Sequence, residues 1–192
     1  MTHEPADDLP SWIRRIETER DKQGVEAALR LCDAAIHACG RVAALLRERS
    51  YLRHRLGDYV GALNDADEVV RLDPCPYFLM ERARRHIRLD DYASARNDLT
   101  AALEHPNERE REYCRSHVEL LLAYATMQLG DIEEGIELAR RCSDPGPLWI
   151  DGGLITRQWM IDEGERILAE EREADEAEAR NARRDPPEDD AS

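Results

Sequence analysis

Arg47, Tyr51, His54 and Arg55 stand at i, i+4, i+7 and i+8, a spacing that puts all four on one face of a helix. Further along, Tyr77, Met80, Arg84, Ile87 and Arg88 repeat the arrangement, and Leu120, Tyr124, Met127 and Gln128 continue it in a more apolar form. Ile13, Glu17 and Arg20 begin it. A guanidinium is a planar fork of donors that matches a carboxylate two bonds at a time, while phenol rings and thioethers supply adaptable contact area. This set of side chains suits the recognition of an acidic segment. The plainer alternative is that the arginines are solvated and pair with the chain's own acids.

Bond-breaking chemistry has little to stand on. There is no Gly-x-Gly-x-x-Gly, phosphate-binding loop, Gly-x-Ser-x-Gly elbow or His-Glu-x-x-His. The six histidines, His3, His37, His54, His86, His105 and His117, lie on separate segments. Cys114-x-x-His117 has half the spacing of a metal site, but no second pair follows at a matching interval. Cys32, Cys39, Cys75, Cys114 and Cys142 form no Cys-x-x-Cys pair and read as buried small hydrophobes. The expectation is no catalytic residue, no metal and no cofactor.

Charge narrows the partners further. The chain has 27 Lys plus Arg against 42 Asp plus Glu, a formal net charge of −15 in 192 residues. Such a balance argues against nucleic acid and against anionic membranes. The most apolar stretch, Val118 to Leu129, is shorter than the ~20 residues needed to span a bilayer, and Met1-Thr2-His3-Glu4 does not open a secretory signal. A cytoplasmic location is expected. Lys22 is the only lysine, so nearly every basic contact must be made by a guanidinium.

The elements that must position these residues are written as a repeat. Leu56-Gly57-Asp58-Tyr59-Val60-Gly61-Ala62-Leu63 recurs as Leu89-Asp90-Asp91-Tyr92-Ala93-Ser94-Ala95-Arg96 and as Leu129-Gly130-Asp131-Ile132-Glu133-Glu134-Gly135-Ile136. A fainter copy runs from Gln23 to Leu29. The Ala28, Ala62, Ala95 and Gly135 positions are separated by 34, 33 and 40 residues, so one repeat carries an insertion. In each copy Gly can take a left-handed turn, Asp can cap the next helix, and a small residue lets two helices approach. Leu72-Asp73-Pro74, His105-Pro106 and Asp144-Pro145 then end the second helix. Low aromatic content, 5%, and little β-branching also favour helices.

A period near 34, a Gly-Asp-Tyr turn with Ala three residues on, and a closing Pro resemble the tetratricopeptide repeat. The resemblance covers about residues 9 to 149, with Trp12, Leu46 and Leu79 at the family's large first-helix position. Departures are Glu119 at that position in the last copy, Ser50 and Ala83 where the family favours Gly, and Gly135 for Ala. The resemblance implies an all-α, right-handed solenoid of antiparallel helical hairpins whose first helices line a concave, peptide-receiving surface. The family's Lys, Asn and Arg clamp for a C-terminal carboxylate is not found in register.

Around the repeats, residues 1–8 are expected to be a flexible N-terminus. The insertion after Pro106 opens with Asn107 and Glu110 in capping-box form, so the first helix there should be extended. Leu154, Ile155, Trp159, Ile161, Ile167 and Leu168 predict a capping helix over 150–169 that covers the last open hairpin. Residues 170–192 should be an acidic helical extension ending in a disordered tail, since residues 162–192 carry thirteen acids and five arginines. The expected function is a noncatalytic module that binds a protein or peptide segment in a basic, aromatic groove. The alternative is an acidic immunity protein or secretion-type chaperone that covers a basic partner. A homodimer is a further use of Trp149 and Trp159, which could cap a second copy.

Overall fold

The computed structural model describes residues 8–150 and 153–184. Of the segments expected to be a flexible N-terminus (1–8) and an acidic extension with a disordered tail (170–192), residues 1–7 and 185–192 lie outside the described residues, while Asp8 caps the first helix and 170–184 are helical. Four antiparallel helical hairpins follow one another: α1 (Leu9–Gln23) with α2 (Val25–Cys39), α3 (Ala43–Arg55) with α4 (Tyr59–Leu72), α5 (Pro76–Arg88) with α6 (Tyr92–Glu104), and α7 (Glu108–Gln128) with α8 (Ile132–Arg141). A short hairpin of β1 (Leu148–Ile150) and β2 (Gly153–Ile155) leads into a final helix, α9 (Arg157–Arg184). Each helix packs on its sequence neighbours, and α5 also packs directly on α7, which gives an α-solenoid.

The turns follow from the repeated residues. Gly57 and Gly130 adopt φ of +82° and +92°, where a Cβ is disfavoured, and Asp90 takes the same left-handed region at φ +57° in the third copy. The next Asp then caps: Asp58 accepts from the Gly61 N–H at 2.9 Å and Asp91 from the Ser94 N–H at 3.1 Å. Small residues do bring the helices close. Ala62 and Ala95 are fully buried, and a Cβ on Gly135 would collide with Met127. Asn107 caps the extended α7 by accepting from the Glu110 N–H.

The C-terminal element departs from the expected helix over 150–169. Leu148, Trp149 and Ile150 alternate inward and outward, and Leu154 and Ile155 belong to β2, so α9 starts at Arg157 after the Thr156 hydroxyl caps the Trp159 N–H. The hairpin wins because Gly153 breaks the helical run and inward Leu148, Ile150 and Ile155 bury on one face. Cap packing in α9 combines the expected Ile161, Ile167 and Leu168, partly buried against the core, with Met160, which is fully buried, and Gly164, whose missing side chain leaves room for Ile136 and Met127. Trp159 is exposed.

Apolar packing falls into two clusters, one around Ile16, Cys32, Leu45 and Leu52 and one running from Val70 to Met160. Charged side chains are buried beside them. On α3, Arg49 donates to Asp65 of α4 through Nε at 2.9 Å and Nη2 at 2.6 Å, and to Asp33 of α2 through Nη1 at 3.1 Å. Helix propensity does not require this connection, yet it recurs one repeat on. Arg82 of α5 donates to Asp98 of α6 at 2.8 and 2.6 Å and to Asp67 of α4 at 3.2 Å. Each guanidinium thus ties a first helix to its own second helix and to the preceding hairpin. The Asp65 hydrogen bonds hold the Arg49 guanidinium above its ordinary pKa.

Candidate partner-binding cleft

The first helices α3 and α5 share a face with the β-hairpin, and between them lies a cleft of about 1040 Å³. α3 and its turn contribute Tyr51, His54, Arg55 and Tyr59; α5 contributes Tyr77, Glu81, Arg84, Arg85, Ile87 and Arg88. Leu121 of α7 and Trp149 and Ile150 of β1 close the far side. Four guanidiniums and one carboxylate therefore surround a space walled by phenol rings, on a molecule whose net charge is −15.

Two of the arginines are positioned by neutral groups. Arg55 donates to the Tyr51 hydroxyl at 2.9 Å, and Arg84 donates to the Trp149 carbonyl at 3.3 Å. Neither makes an ion pair among the described residues. Arg88 donates to the Tyr59 hydroxyl at 2.8 Å with its guanidinium 4.4 Å over that ring, and His54 meets the same ring edge-on at 5.3 Å. Arg85 is 7% exposed, donates to the Ser50 hydroxyl at 3.3 Å and lies 3.5 Å from Glu81. Burial holds its guanidinium below the ordinary arginine pKa, and burial pushes the Tyr77 phenol up. An incoming carboxylate would meet, in Arg55 and Arg84, oriented donors that make no ion pair among the described residues.

Of the residues expected on this surface, Tyr51, His54, Arg55, Tyr77, Arg84 and Arg88 converge on the cleft. Arg47 is exposed outside it and pairs with Glu48 at 2.8 Å. Met80 and Met127 are 6% and 7% exposed and belong to the core, so neither thioether is available to a ligand. Met80 sits about 60° around α5 from Tyr77, enough to turn it onto the packed side. Leu120 is buried, and Tyr124 packs edge-on against Tyr92 at 6.2 Å. Helix α7 is covered by α5, α8 and α9, which leaves Leu121 as its contribution to the cleft. Tyr59, Glu81, Arg85, Trp149 and Ile150 were not anticipated there. Arg85 follows Arg84 directly, and Tyr59 is part of the repeated turn, so both carried a signal.

Cys114 and His117 acquire no metal-binding neighbourhood: among the described residues no three His, Cys, Asp or Glu side chains are grouped to hold an ion. No helix among them is long and apolar enough to cross a membrane.

No family model matches the chain, and no curated protein matches it in sequence. Solved structures do match in shape. MamA residues 41 to the end from Desulfovibrio magneticus RS-1 superposes with a TM-score of 0.59 at 19% identity, over 67% of this chain and 70% of that one. YrrB, described as a tetratricopeptide-repeat protein with an unusual peptide-binding site, superposes with a TM-score of 0.56 at 15% identity, over 70% and 66% of the two chains. The chain has the tetratricopeptide-repeat fold. A third match is the type III secretion chaperone SycD of Yersinia enterocolitica in complex with a peptide of the translocator YopD, with a TM-score of 0.56 at 17% identity, over 65% of this chain and 96% of that one. The four helical hairpins α1/α2 through α7/α8 are followed by the β-hairpin and α9.

Proposed function

We propose that this tetratricopeptide-repeat chain is a noncatalytic interaction module that binds an acidic segment of a partner protein in the cleft between α3, α5 and β1. The observation that carries the reading is the partnering of Arg55 and Arg84: both are positioned by a hydroxyl and a carbonyl, and so keep their charge available to a ligand carboxylate. Tyr51, Tyr59 and Tyr77 supply rigid contact area at low entropic cost. The peptide sites of YrrB and SycD, which share the fold, support a peptide-sized occupant.

A second reading has its own support. The distal part of α9 is exposed from Glu170 through Asp175 and dominated by acids, and one match in shape is a secretion chaperone. On that reading the acidic exterior, not the cleft, covers a basic partner. The two separate in one experiment that titrates a Glu-rich and an Arg-rich fluorescent peptide into wild type, Arg55→Glu/Arg84→Glu and a chain ending at residue 169. Binding of the Glu-rich peptide that is lost only in the double variant supports the cleft. Binding of the Arg-rich peptide that is lost only on truncation supports the acidic exterior and refutes the cleft as the main site.

A further inference from the structure

The wall of the cleft opposite α5 is a β-strand edge, and that edge determines the backbone shape of an occupant. Trp149 pairs with Leu154 and Ile150 with Gly153. In an extended strand the N–H and C=O of one residue point to the same side, and those of the next residue to the other. The Trp149 carbonyl is reached by the Arg84 guanidinium, which comes from α5 at 3.3 Å, so that carbonyl points away from β2 and into the cleft. Its N–H points the same way. β1 therefore offers the cleft a donor and an acceptor at the register of Trp149, with an Arg side chain spanning the gap to α5.

We propose that the acidic segment binds as an extended strand that adds to the cleft-facing edge of β1, pairing with Trp149 while Arg84 swings from the Trp149 carbonyl to a ligand carboxylate. This rests on the reading of the cleft as a site for acidic segments and specifies the ligand's backbone and side-chain pattern. The exchange leaves nothing buried and unpaired. A ligand N–H replaces Arg84 at the Trp149 carbonyl, the Trp149 N–H gains a ligand carbonyl, and the guanidinium trades a neutral acceptor for a charged one. Strand spacing of about 4.8 Å fits a gap now bridged by an arginine side chain. A helix, with its N–H and C=O groups satisfied internally, could not answer the Trp149 edge except at its ends.

The side chains agree with this. Trp149 is 67% exposed, and its cross-strand neighbour Leu154 is exposed on the same face, while Leu148 and Ile150 bury on the other. An added strand would alternate between these two faces, with an apolar residue continuing the Trp149–Leu154 surface and the residues between them on the side of Ile150, which lines the cleft together with Arg55, Arg84 and Arg88. The occupant is thus an acidic segment in which carboxylates alternate with apolar residues.

The probe is an eight-residue peptide alternating Glu and Val, tested on the full chain in three forms: unmodified, N-methylated at every Glu amide, and N-methylated at every Val amide. Each methylated form loses the hydrogen bonds of one strand edge only. The expected result is binding of the unmodified peptide, a loss of about tenfold or more in one methylated form, and near-unmodified affinity in the other. Hydrogen exchange of the Trp149 amide should slow in the complex. Equal affinity of both methylated forms, or an unchanged Trp149 amide in a saturated complex, overturns strand addition and leaves the acidic-segment reading intact. Failure of the unmodified peptide to bind overturns both.

Discussion

Replacing Asp65 with Asn should be among the most damaging single substitutions in the chain. Asp65 is 1% exposed and accepts from Arg49 Nε at 2.9 Å, Arg49 Nη2 at 2.6 Å and Arg53 Nη1 at 2.8 Å. The amide keeps the volume but removes the charge and turns one acceptor into a donor facing a guanidinium. Removing one partner of a buried ion pair costs about 3–5 kcal/mol. Arg49 retains the half-exposed Asp33, and Arg53 retains Asp58 at 3.6 Å and the Gly61 carbonyl, which places the expected loss near the lower end, about 3 kcal/mol. The matching change at Asp98 breaks two bonds to the more accessible Arg82 and should cost about 1.5–2 kcal/mol. Urea unfolding followed by far-ultraviolet circular dichroism measures both. An Asp65→Asn variant within about 0.5 kcal/mol of wild type, or one less affected than Asp98→Asn, would refute the argument that this pair locks α3 to α4. Because α3 carries Tyr51, His54 and Arg55, the same variant should also weaken peptide binding without touching the cleft.

Ala95→Leu should cost about 1–3 kcal/mol in the same assay, because Ala95 is fully buried where α6 approaches α5. Asp91→Ala should cost about 1 kcal/mol near neutral pH through loss of the α6 cap. The Ser94 hydrogen bonds hold the Asp91 carboxyl below its usual value of 3.8. Its contribution is therefore complete above the usual value and lost as pH falls through the depressed one, so the gap between variant and wild type should close in acid. Cys32 is fully buried, burial pushes its thiol up to about 12, and the Leu45 carbonyl lies 3.4 Å from its sulfur. Iodoacetamide at pH 8 should modify the half-exposed Cys39 well before Cys32, as read by peptide mass mapping.

The repeated hairpins were legible because a few residues carry obligatory jobs. Gly57 and Gly130 turn left-handed, Asp58 and Asp91 cap, and Ala62 and Ala95 allow close packing, each at the position the period assigns. Asn107 likewise announced the extended α7. The β-hairpin was not legible, since a three-residue alternation in Leu148-Trp149-Ile150 is too short to outweigh the helical spacing that follows it. Half of the cleft could be read from helix-face spacing, but spacing alone does not say how wide the open strip is. The solenoid packs each first helix on several sides, which buries Met80 and Met127 and leaves Tyr51, Arg84 and Arg88 in the open strip. The ion pairs are written more faintly: Arg49 and Asp65 are 16 residues apart, as are Arg82 and Asp98, a spacing that shows only between two aligned copies of the repeat.

The three tryptophans report directly on occupancy of the cleft. The indole N–H signals of Trp12, Trp149 and Trp159 can be followed by nuclear magnetic resonance while the Glu-Val peptide is added to full-length protein. Trp149 borders the cleft, whereas Trp12 lies on α1 and Trp159 at the start of α9. Binding in the cleft should give a saturable shift of the Trp149 indole with little change at the other two, abolished in Arg55→Glu/Arg84→Glu. Saturable binding that leaves Trp149 unmoved, or that persists in the charge-reversed variant, would contradict binding there.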